Sequence, residues 1–157
     1  MRERLLSIGD DFWVEDQRGE RVFRVDGKAL RARETLHFED ADGRKLCSIQ
    51  QRPVRVRDSM EIEGPDGGRL ALVRKAMITP LRDRWMVDVG NGPDWDVQGN
   101  IVDHEYRIEA DGRQIGEASK AWFRVRDTYG VEVAPGQDDV LVLAVTVAVD
   151  SMAHPEN

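Results

Sequence analysis

A chain of 157 residues has the size of one domain with a single continuous core, so 1–157 is expected to be one domain. Its net charge of −7 argues against non-specific nucleic-acid binding, and its lone cysteine, Cys47, rules out an intrachain disulfide and fits a reducing compartment. Hydrophobic residues make up only 40%, but they recur at regular spacing, which suits strands with one apolar residue in two rather than disorder.

The opening MRERLLSIGDDFWVED has two arginines and no apolar h-region, so no signal peptide is expected. No run approaches the roughly 20 apolar residues of a membrane span, and the expected location is cytoplasmic, with membrane contact at most peripheral.

Along the chain a hairpin phrase then repeats. EDQRGERVF (15–23) is echoed by EDADGRKL (39–46), EGPDGGRL (63–70) and EADGRQI (109–115). Each phrase sets Asp and Gly between alternating apolar runs. Glycine tolerates the positive φ of tight turns and Asp bonds its own backbone there. Gly19, Gly43 and Gly67 are 24 residues apart, which predicts one hairpin per repeat and an antiparallel meander.

The flanking runs alternate as strands do. Leu36 and Phe38 oppose His37; Val54 and Val56 oppose Arg55 and Arg57; Met60 and Ile62 oppose Glu61; Trp85 and Val87 oppose Met86. One apolar face per strand over this length predicts a sheet wrapped round a core, and closure into a barrel removes its exposed edges.

The last segment differs. DDVLVLAVTVAVDSMA (138–153) is apolar from Val140 to Val149 except at Thr146. Its β-propensity reads as a buried strand. The leading acids Asp138 and Asp139 and the following Pro155 read as a helix. As a helix of about 15 residues it would rise roughly 22 Å, short of the ~30 Å bilayer core. A helix apolar on every side must be enclosed, as a barrel interior would do.

DFWVEDQRGERVFRV (11–25), the phrase ending RKLCSI (44–49) and the terminal DDVLVLAVTVAV together resemble LURP-one-related proteins, which are akin to the tubby C-terminal domain and to phospholipid scramblases. The resemblance implies a mainly-β fold, a closed antiparallel barrel of about twelve strands round a buried C-terminal helix. It selects helix over strand for 139–153. In the tubby branch the domain binds phosphoinositide headgroups through basic side chains on the barrel wall. Scramblase relatives usually carry extra membrane-anchoring or palmitoylated cysteine segments, and none is expected here.

Four Arg-x-Arg pairs stand out: Arg31/Arg33, Arg55/Arg57, Arg82/Arg84 and Arg124/Arg126. Spacing of two on a strand puts both guanidinium groups on one face, where neighbouring strands can assemble a bidentate phosphate grip. Arg74 and Lys75 extend the set, and together with Arg31 to Arg84 they form the candidate ligand-binding residues. The plainer alternative is that such pairs are wet strand faces balanced by cross-strand carboxylates. Charge is also uneven: residues 1–84 hold 18 basic and 16 acidic residues, residues 85–157 hold 5 and 14.

Trp122, beside Arg124, suggests an aromatic and cationic platform. Trp95, in the loop-like GNGPDWD (90–96), reads either as an exposed partner anchor or as a cap on a barrel end. Asp103, His104 and Glu105 form a compact trio, but strand alternation would let only the two acids point together. His37, His104 and His154 lack metal-ligand spacing, no glycine-rich loop opens a helix, and Cys47 shares the buried face with Ile49. No enzyme activity, cofactor or metal is expected. Two readings of function follow: a module recognising anionic lipid headgroups or phosphorylated ligands, or a protein-interaction or scaffolding domain with no lipid contact.

Overall fold

In the computed structural model of the chain, residues 2–8, 11–16, 18–26, 35–51, 59–76, 83–100, 105–119 and 128–153 are described. Among them twelve strands are followed by one helix. The strands are β1 (Arg2–Ile8), β2 (Asp11–Glu15), β3 (Arg21–Asp26), β4 (Thr35–Asp40), β5 (Lys45–Gln51) and β6 (Ser59–Glu63). They continue as β7 (Arg69–Lys75), β8 (Asp83–Val89), β9 (Trp95–Asn100), β10 (Glu105–Ala110), β11 (Arg113–Ser119) and β12 (Thr128–Val133). The helix, α1, spans Asp139–Ala153. The expected mainly-β architecture with a C-terminal helix is the one observed. Each strand pairs antiparallel with its chain neighbours, and β1 pairs with both β2 and β12, so the order of hydrogen-bonded neighbours closes on itself as a barrel.

The repeated phrase makes the turns. Asp16 Oδ1 accepts the Arg18 and Glu20 amides at 2.8 and 3.0 Å, and Asp40 Oδ1 does the same for Asp42 and Arg44 at 3.0 and 2.8 Å. Gly19, Gly43 and Gly67 take φ of 81°, 83° and 85°, the left-handed region that a Cβ disfavours. A register shift beside each turn, at Val14/Glu15, Phe38/Glu39 and Ile62/Glu63, admits the extra residue. The fourth phrase is tighter: Asp111 and Gly112 both have positive φ, the two-residue hairpin whose twist matches its strands.

Alternation delivers the core. Phe38, Ile49, Ile62, Val73, Trp85 and Ile108 are fully or almost fully buried and cluster with the helix. Asp138 caps α1, its Oδ1 accepting the Leu141 amide at 3.2 Å. Every residue from Val142 to Val149 is buried, more than two full turns, so α1 is enclosed on all sides. It contacts β5, β6 and β7 on one side and β11 and β12 on another. Helix overrides the segment's β-propensity here for a physical reason. A closed sheet offers no free edge to a thirteenth strand, whereas a helix satisfies its own backbone groups in an apolar interior. The one polar side chain in the run, Thr146, donates its hydroxyl to the Val142 carbonyl at 2.9 Å.

The connectivity gives the barrel two unlike ends. Turns 16–20, 40–44, 64–68, 90–94, 111–112 and 134–138, with the start of α1, lie at one end. The strand ends flanking 27–34, 52–58, 77–82, 101–104 and 120–127, with the last turn of α1, lie at the other. These are called the turn end and the long-connection end.

Candidate anion-binding end

Of the sequence-derived candidates, Arg31, Arg33, Arg55, Arg57 and Arg82 lie outside the described residues, as do Trp122, Arg124, Arg126, Asp103, His104 and His154. Arg74, Lys75 and Arg84 are described, and the structure separates them. Arg84 is exposed on the outer wall, and its guanidinium donates through Nε and Nη2 to Asp96 at 2.8 and 2.6 Å. That two-pronged bond and the Asp96 charge hold the Arg84 pKa above its ordinary value. Arg74 stands 4.0 Å from Asp88, which also faces Arg69 at 3.9 Å. On the wall of β7 to β9 the cationic groups are therefore balanced by cross-strand carboxylates, the plainer of the two readings. Lys75 is not on the Arg74 face at all, because neighbours on a strand alternate; its register partner is the fully buried Trp85.

Trp95 resolves as a core residue rather than an exposed anchor. It opens β9, is 6% exposed and belongs to the buried cluster at the turn end. The outer wall instead carries an aromatic and cationic stack that the sequence reading missed. Arg21 lies 4.7 Å and Arg24 5.7 Å from the Trp13 ring centre, and Arg24 also faces Glu39 at 3.9 Å. The signal was the β2–β3 register, which sets Trp13 opposite Arg24.

A polar cluster closes the long-connection end from inside. Tyr106, 2% exposed, donates its hydroxyl to Asp150 on α1 at 3.0 Å, and Trp85 meets its ring edge-on at 5.9 Å. Asp83, also buried, sits in the same cross-strand row through Gly99. Burial, then the charge and bond of Asp150, then Asp83, hold the Tyr106 phenol well above its ordinary range. At the turn end burial, reinforced by Asp138 and partly offset by Lys45, pushes the Cys47 thiol up to about 12. A thiol so placed is a core residue and a poor nucleophile.

Both groups are held protonated by folding, so their stabilisation is complete below their unfolded values, 9.0 for the thiol and 10.0 for the phenol. It is lost as pH rises above those values toward the folded ones, by about 1.4 kcal/mol per group per pH unit. The melting temperature should therefore fall steadily above pH 9. A Cys47→Ala/Tyr106→Phe variant should show a shallower fall, and a slope equal to that of the parent chain would contradict this assignment.

No described group of three or more His, Cys, Asp or Glu side chains has the arrangement to hold a metal ion. No described helix is long and apolar enough to cross a membrane. The family model for LURP-one-related proteins matches residues 1–150. The chain belongs to the LURP-one-related family. Its fold is similar to that of the X-ray structure of a protein from Arabidopsis thaliana, with a TM-score of 0.74 and 13% identity over 98% of this chain and 90% of that one. At that identity the likeness concerns the fold alone. No curated protein matches this LURP-one-related chain.

Proposed function

We propose that this LURP-one-related chain is a non-catalytic binding module that recognises anionic, phosphate-bearing ligands at the long-connection end of its barrel. The supporting observation is topological. Arg31 and Arg33, Arg55 and Arg57, and Arg82 fall in three successive connections, β3 to β4, β5 to β6 and β7 to β8, whose flanking strand ends are neighbours at that one end. Lys75 is the last residue of β7 at the same end. Guanidinium groups carried on neighbouring connections suit bidentate contact with phosphate oxygens. Arg74 and Arg84, each facing a carboxylate on the wall, contribute less. A cytoplasmic protein that meets membranes or phosphorylated ligands from the outside fits this reading.

Replacing Arg55 and Arg57 together with Ala should weaken binding to phosphatidylserine vesicles and to inorganic phosphate by roughly tenfold. The melting curve should stay within about 0.5 kcal/mol of the parent, as for surface changes in general. Unchanged binding would remove the two arginines from the site. Absence of any anion binding in the parent chain would leave the protein-interaction or scaffolding role as the working account.

A further inference from the structure

The turn between β8 and β9 holds a dipeptide that no other described turn shares. Asn91 is followed by Gly92, and residues 90–94 are all exposed. The Gly92 amide donates to the Val89 carbonyl at 3.4 Å, and the Gly90 amide to the Leu70 carbonyl at the same distance. Both bonds are longer than the usual limit of about 3.2 Å for an N–H···O contact. A Cβ built on Gly92 would meet nothing within 4 Å, and its φ is not in the left-handed region.

From this arrangement we infer that Asn91 is a site of spontaneous modification, losing its side-chain amide to give aspartate and isoaspartate. The Gly92 nitrogen attacks Asn91 Cγ, so that an N–Cγ bond forms and the Cγ–Nδ2 bond breaks. The amide proton leaves with Nδ2 as ammonia, and a five-membered cyclic imide remains. One water then opens the ring. Opening at Cγ gives an ordinary aspartate; opening at the main-chain carbonyl gives an isoaspartate, whose chain runs through the former side chain. No electrons change hands and water is the only co-reactant.

Three arguments carry the assignment. First, any side chain on the residue after Asn crowds the attacking nitrogen, and glycine leaves it open. Asn100, by contrast, is the last residue of β9, pairs in register with Glu105 and precedes the β-branched Ile101. Second, an amide must leave its hydrogen bond in order to attack. The Gly19, Gly43 and Gly67 amides are held at 3.0, 3.1 and 3.0 Å, tighter than Gly92. Third, the Asp-Gly steps at 42–43, 66–67 and 111–112 offer the same glycine, but an ionised carboxylate resists a nucleophile that a neutral carboxamide accepts. Either product adds a negative charge to the turn. Isoaspartate also adds a backbone carbon four residues before Trp95, which opens β9 and is buried.

The test incubates the folded full chain in heavy-oxygen water at neutral and mildly alkaline pH, followed by peptide mass mapping. The peptide carrying Asn91 should gain one heavy oxygen and split into aspartate and isoaspartate forms, faster at the higher pH. Gly92→Ala should slow this several-fold without moving the melting temperature, because the position is open. Asn91→Gln, at the same exposed position, should suppress it, since glutamine would need a six-membered ring. The isoaspartate fraction should melt below the aspartate fraction. Conversion at Asn100 outpacing that at Asn91 would overturn the assignment. So would an Asn91 that converts only when the chain is unfolded in urea, or a Gly92→Ala rate equal to the parent's.

Discussion

Val145→Asp is expected to abolish cooperative folding. Val145 is fully buried in the middle of α1, with Val142 to Val149 enclosed around it. A carboxylate there has no cation within the apolar core cluster and no route to water. Burying an unpaired charge costs several kcal/mol even after relaxation, and a shifted pKa only exchanges the charge for an unsatisfied polar group. Against a typical total stability of about 5–15 kcal/mol, that loss leaves a single domain of this size with little or no folded population. Val145→Ala, by contrast, should remain folded and lose roughly 2 kcal/mol, the effect of a small cavity. Circular dichroism melts of the two variants distinguish the outcomes. A soluble Val145→Asp chain with a sharp transition would mean that α1 does not occupy the barrel interior.

The second large effect is expected at Gly99. A Cβ built there would lie 2.5 Å from Tyr106 Cδ1 and 2.6 Å from the Glu105 carbonyl oxygen. The Tyr106 ring lies across the glycine on the neighbouring strand, and the hard contact includes backbone, so a rotamer change cannot relieve it. Gly99→Ala should cost about 3 kcal/mol, at the upper end for overpacking. It should also pull the Tyr106 hydroxyl away from Asp150, loosening the tie between β10 and the end of α1. A melting temperature within a degree or two of the parent, with unchanged tyrosine near-ultraviolet signal, would contradict the packing described here.

These two sites mark the limits of sequence reading. The enclosure of α1 was legible because Val140 to Val149 is apolar on every face and too short for a bilayer, although helix was selected over strand only through the family resemblance. The turns were legible from Asp and Gly at fixed spacing, and Cys47 from its alternation with Ile49. Gly99, Tyr106, Asp83 and Asp150 left no such trace. Tyr106 and Asp150 are 44 residues apart, and their meeting depends on the register of β8 to β10 and on where α1 ends. Arg84 looked like half of a phosphate grip because its partner Asp96 lies across the β8–β9 hairpin. Adjacency misled at Lys75, which strand alternation places opposite to Arg74. Alternation also failed at Glu61, an outward position by register with Leu72 that is nevertheless only 9% exposed.

Charge followed the same pattern. The excess of acid in residues 85–157 was plain, yet the pairing of Asp88 and Asp96 with Arg69, Arg74 and Arg84 became visible only once the strand register was known.

The central claim, that the long-connection end recognises anionic surfaces, is tested most directly by co-sedimenting the purified chain with neutral and anionic vesicles across a salt series. Exposed charge contacts are screened within about 8–10 Å at physiological ionic strength. The account therefore predicts binding to anionic vesicles alone, strongest at low salt and falling steeply as salt rises. Binding that is equal on neutral vesicles, or absent from anionic ones at low salt, would contradict it.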